Sequence, residues 1–188
     1  MRGRLWKNVG TCFIREFEPR FPQFTVGYRE GQFWTWVWKA APDLYFFVVL
    51  QGFDRKDQFV LEIAWSREDE FPWGAFGDAD AGKPELRERL GAIWNSARGE
   101  RHEHIWDLAP EKTAADVEHI EARARGAHLP YADDPPVELL LPRIGPLVHD
   151  AIEKLEQYGM PLFRRVAEAH GVKWPDTPRT GEQLKGEK

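Results

Sequence analysis

Apolar residues follow two rhythms along this chain, and the rhythm changes near residues 20 and 66. Leu5, Trp6, Val9, Cys12, Phe13 and Phe17 recur at helical spacing, with cations and Asn8 between them. That stripe predicts an amphipathic helix over residues 5–17, ended by Pro19 and Pro22.

From residue 24 to residue 66 the period is two. Strands are predicted over 24–29, 32–39, 44–51 and 59–66, because β-branched and aromatic residues alternate there between turn signals. Glu30-Gly31 and Ala41-Pro42-Asp43 supply tight turns, and 52–57 is a polar loop. Strands joined by such short links pair as an antiparallel meander. The third, nearly all apolar, is expected at the centre of the sheet with both faces covered.

Beyond residue 66 an acidic connection runs to Pro84, which opens a predicted helix carrying Leu86, Leu90, Ile93, Trp94 and Ala97, with Gly99 closing it. Residues 101–110 fit no single period. Thr113-Ala114-Ala115-Asp116 resembles a capping box before Val117, Ile120 and Ala124, and 133–136 is read as a loop. Residues 137–141 suit either a fifth strand or a first helical turn. Pro146 opens a helix through Leu147, Val148, Ala151, Ile152, Leu155 and Tyr158, stopped by Gly159, and Pro161 opens a last one ending at Gly171. The expected fold class is therefore α+β: an N-terminal helix, a four-stranded antiparallel β-meander (about 24–66), then helices packed on the sheet. A single domain spans 1–174, and a polar tail over 175–188 is expected to be disordered.

Composition narrows the class further. At 188 residues, with 42% hydrophobic and 30% charged side chains, the chain can build an ordinary core without disulfides, and nine Trp with twelve Phe supply its bulk. The single cysteine, Cys12, has no internal partner, so a reducing cytoplasm is the expected location. A net charge of −5 argues against binding duplex nucleic acid. Charge is unevenly spread, however: residues 1–39 hold seven Lys or Arg against three Glu. No apolar run is long enough for a membrane span, and none has the form of a secretory leader.

Each candidate for chemistry has a plainer alternative. Trp34, Trp36 and Trp38 share one side of a strand, about 7 Å apart. They form either a stacking platform for a ring-bearing ligand, with Arg29 and Lys39 at the strand ends, or the filling of a two-sided core. The apolar residues on the opposite side, Phe33 and Val37, favour the core reading. Glu62 stands mid-strand between Val60 and Ala64. Simple alternation turns it to water, whereas a covered face would demand a partner or a raised pKa.

His102 and His104 flank Glu103. On a strand they would share a face and grip a metal, with His119, His149 or Glu111 as a third ligand; on a loop they are surface histidines. Asp78-Ala79-Asp80-Ala81-Gly82 starts like a calcium loop but lacks the later ligands. Cys12, on the apolar side of the first helix, reads as a small buried hydrophobe. There is no phosphate loop, dinucleotide fingerprint or G-x-S-x-G elbow, so no cofactor is expected.

Taken together, these features suggest a non-enzymatic domain that binds an unknown protein or small molecule through an aromatic-rich sheet surface formed by Trp34, Trp36, Trp38, Arg29 and Glu62. The alternative is a metal-dependent hydrolase using His102, His104 and a carboxylate. An exposed sheet edge would also permit a homodimer.

Overall fold

The computed structural model describes residues 3–53, 57–75, 83, 85–100, 104–108 and 137–175. Period-two alternation yields the expected ladder. Strands β1 (Thr25–Glu30), β2 (Phe33–Ala41), β3 (Leu44–Phe53) and β4 (Gln58–Ser66) pair antiparallel in chain order. Gly31, at φ 55°, makes the first reversal, in a left-handed conformation where glycine carries no Cβ penalty.

Register decides what shares a face. Trp34 lies opposite Leu50, Trp36 opposite Val48 and Trp38 opposite Phe46, while Phe46, Val48 and Leu50 lie opposite Trp65, Ile63 and Leu61. This inner face is the floor of the main core. Helix α1 (Gly3–Arg20) lays Leu5, Val9, Phe13 and Phe17 on it. The helix runs through Pro19 and stops short of Pro22: the proline sits in the last turn, where one lost main-chain bond is tolerated.

The predicted helix after Pro84 divides in two. Leu86–Arg89 is a fifth strand, β5, antiparallel to β4, and only Leu90–Ala97 is helical (α2). Leu86 and Leu90 stand four apart, which suits a helix. They also satisfy a strand that leads directly into one, and the open edge of β4 settles the choice by completing the ladder. The ambiguous stretch contributes a two-residue strand, β6 (Trp106–Asp107), which pairs with β4 at Phe59 and Gln58. The capping-box segment over 113–126, the loop over 133–136 and residues 176–188 lie outside the described residues.

Residues 137–141 are helical. Helix α3 (Val137–Lys154) extends the stripe back through Ile144 to Leu140 and passes through Pro142 and Pro146 rather than starting at Pro146. Both prolines are on the exposed side, where water can satisfy the carbonyls they leave unpaired. Gly159 does not stop the run either. A π-helical turn (Leu155–Gly159) carries it directly into helix α4 (Met160–Ala169). Gly159 keeps helical dihedrals, and a Cβ there would come within 2.7 Å of Leu155 Cδ1. Pro161 follows the π turn, where the i→i−4 pattern is already interrupted and a missing donor costs little. Gly171, at φ 69°, ends the helix as expected. No helix among the described residues is long and apolar enough to cross a membrane.

Candidate functional site

The tryptophan ladder faces the helices. Trp36 is fully buried, its ring 4.7 Å from Phe13 and 5.3 Å from Phe17. Trp34 packs against Gly10 of α1, and Trp38 lies between Phe46 and Trp174 with centroids 5.3 and 4.9 Å away. Helix α1 thus roofs Trp34 and Trp36, while Trp38 is covered by Phe24 and Trp174. Arg29 remains exposed, with its guanidinium 5.1 Å from the Trp34 ring. Lys39 lies over Tyr45, which holds its ammonium pKa above the usual lysine value through a hydrogen bond.

Glu62 departs from the water-facing expectation. It is completely buried on the other side of the sheet. Both of its oxygens accept hydrogen bonds from Arg87, whose Nε and Nη2 donate at 2.7 and 2.8 Å, and Arg89 Nε lies 3.5 Å from Oε1. Ala64 is the residue opposite Arg87 in the ladder, and its short side chain leaves room for the guanidinium to reach diagonally across to Glu62. A buried carboxylate is tolerable here because a planar fork matches it at two points.

His104 stands between indoles, 4.5 Å from Trp94 and 5.0 Å from Trp106 at steep angles, and burial pushes its pKa down. His102, Glu111 and His119 lie outside the described residues, and among the described residues no three His, Cys, Asp or Glu side chains come together as metal ligands. His149 instead pairs with Glu16 of α1 at 2.9 Å. Cys12 is half-buried; burial raises its thiol pKa despite Arg15 nearby.

The open surface lies on the outer face, away from the tryptophan ladder. After β4 the chain returns across this face as an arm, residues 67–75. Arg87 secures it three ways: its backbone N–H donates to Ala75 O at 2.8 Å, its Nη1 donates to Trp73 O at 3.1 Å, and its guanidinium lies 5.2 and 5.1 Å from the Phe71 and Trp73 rings. Phe71 in turn meets Phe47 edge-on at 5.7 Å.

Between this arm and the β1–β2 hairpin runs a groove of about 870 Å³. Its rings form a row. Tyr28 lies 6.3 Å from Phe33, which lies 5.3 Å from Trp73. Tyr28 and Trp73 are 53% and 57% exposed, well above what large aromatic side chains usually retain. An irregularity in the β1–β2 register between Val26 and Arg29 turns Gly27 and Tyr28 toward the groove, so a break in pairing aims a ring at it. Glu30 and Asp69 are the charged residues among the described lining residues. The Tyr28 hydroxyl donates to Glu30, and that bond raises the phenol pKa.

Among the described lining residues there is no histidine, cysteine, serine or lysine. The arrangement suits contact with a ring or a cation. Of the candidate site residues read from sequence, Glu62 lies on this side of the sheet as the anchor beneath the arm; Lys39 shares that face by register, as do Phe33 and Val37, which alternation sets opposite the tryptophans. Tyr28, Asp69, Phe71, Trp73 and Arg87 carried no spacing signal, and Phe33 is placed on this face by alternation but favours the core reading; an aromatic pair, Phe71 and Trp73, inside an acidic, glycine-bearing connection was the one hint. No protein-family model, curated protein or solved structure shows significant similarity to this chain.

Proposed function

We propose that this chain is a non-enzymatic binding domain whose working surface is the outer-face groove between the β1–β2 hairpin and the arm. The observation that carries this reading is the row Tyr28–Phe33–Trp73. Its two outer rings are kept more than half exposed on a chain that buries most of its other large aromatics. Contiguous exposed apolar surface rimmed by polar groups marks a contact site more often than it serves stability. The arm is held by a buried ion pair, so the groove is formed before anything enters it, which lowers the ordering cost of binding. A small molecule suits the volume better than a protein face.

A fragment titration followed by ¹⁵N–¹H correlation spectra tests this, with the Trp73 indole resonance assigned through Trp73→Phe. Ring-bearing fragments should shift that indole together with the Tyr28 and Phe33 amides. Shifts confined to other parts of the chain would overturn the assignment.

A further inference from the structure

Taking the groove as the binding surface, we propose that its ligand is a small organic cation: an alkylated ammonium or a guanidinium on a compact apolar body. Charge complementarity carries this. Glu30 on the hairpin and Asp69 on the arm are the charged groups among the described lining residues, and both are negative. Tyr28, Phe33 and Trp73 line the same space, with Phe33 and Trp73 stacked on each other, and an aromatic ring attracts a cation held within about 6 Å of its centroid.

The molecule already uses this chemistry at the arm. Arg87 lies 5.2 Å from Phe71 and 5.1 Å from Trp73 and is bound to the buried Glu62. Its guanidinium is held there through two hydrogen bonds, to a carboxylate it shares with Arg89, and Arg87 is not among the described lining residues of the groove. Glu30 accepts from Tyr28 through Oε2 only. Lys39 is close enough to feel Asp69, yet it sits over Tyr45 and not in the lining. An anionic ligand would place its charge against two carboxylates, with no basic residue among the described lining residues to answer it. A volume of about 870 Å³ fits a small ligand and is short for a folded partner.

The full chain is titrated with choline, benzyltrimethylammonium and arginine amide, and with 3,3-dimethylbutanol as the uncharged match of choline, at physiological ionic strength. At least one cation should shift the Trp73 indole, and the neutral alcohol should bind about tenfold more weakly or worse than choline. Glu30→Gln combined with Asp69→Asn should weaken the cation about five- to tenfold without changing the response to the alcohol. Equal binding of choline and the alcohol at Trp73 would overturn the cation assignment and leave the groove as a binding surface. No response at Trp73 to any of the four would overturn both. A hexa-arginine peptide binding at these resonances more than tenfold tighter than arginine amide would make the occupant a polypeptide and refute the small-molecule assignment.

Discussion

Arg87 holds both oxygens of Glu62 while its guanidinium supports the ring of Trp73, so one arginine joins a buried charge on β4 to an exposed ring on the arm. Removing one partner leaves the other charge buried and unmatched, which costs about 3–5 kcal/mol. Glu62→Ala and Arg87→Ala are each expected to lower stability by about that much in urea unfolding. Replacing both, with Glu62→Leu and Arg87→Met, should recover most of the loss, since buried pairs are often no better than apolar fillers. The pair's structural contribution would then appear in the arm. In the recovered double variant, Trp73 should lose its fixed environment and its near-ultraviolet circular dichroism. A double variant as unstable as the singles would refute this.

Gly10 gives a case where local propensity and packing have opposite signs. It lies inside α1, where alanine is better by about 1 kcal/mol in an exposed helix. Here a Cβ would come within 2.3 Å of the Trp34 ring. Overpacking of this kind costs about 1–3 kcal/mol, so Gly10→Ala should destabilise the protein on balance. Adding Trp34→Leu should remove the obstacle and reveal the helical gain. Gly91→Ala should be worse, because its Cβ would meet the main-chain oxygen of His104 at 2.0 Å, and backbone cannot swing aside.

These cases show what a linear pattern can carry. Alternation over 24–66 told which residues share a face, and the four strands follow it closely. Parity does not say what covers each face. Trp34, Trp36 and Trp38 fell together as read, but whether they met water or helix depended on where α1 packs, which their spacing does not contain. Glu62 obeyed its alternation too. Its burial depends on Arg87, twenty-five residues later and brought beside it only once β5 pairs with β4. β5 itself escaped notice because Leu86 and Leu90 satisfy both periods at once. The groove was the least legible feature: Trp73 and Tyr28 matter because they are exposed where the arm crosses the hairpin, and exposure leaves no period behind.

His104 should make stability fall as the solution becomes acidic. Burial between Trp94 and Trp106 lowers its pKa below the ordinary 6.5, so the unfolded chain binds a proton more readily than the folded one. Stability therefore rises with pH between the depressed folded value and about 6.5, and is lost as pH falls through that window. His104→Phe keeps the ring without the titration. It should flatten this part of the pH profile, measured by urea unfolding across pH 5 to 7.5. An unchanged slope would show that other groups set it.

Trp73 should dominate the quenchable fluorescence even though the chain has nine tryptophans. Trp36, Trp65 and Trp106 are buried almost completely, Trp6 nearly so, and Trp34, Trp38, Trp94 and Trp174 are partly covered. At 57% exposure Trp73 stands apart. Acrylamide should therefore reveal one accessible component over a shielded background, and Trp73→Phe should remove it and shift the remaining emission to the blue. Iodide is expected to work less well than acrylamide on the same residue, because the carboxylates of Glu68, Asp69 and Glu70 outnumber Arg67 and the Glu62-bound Arg87 near the ring, and added salt should narrow the gap by screening them. Iodide quenching as efficient as acrylamide at low salt would mean that the acidic arm does not set the potential around the ring. The choice of a cationic ligand for the groove would then lose its physical basis.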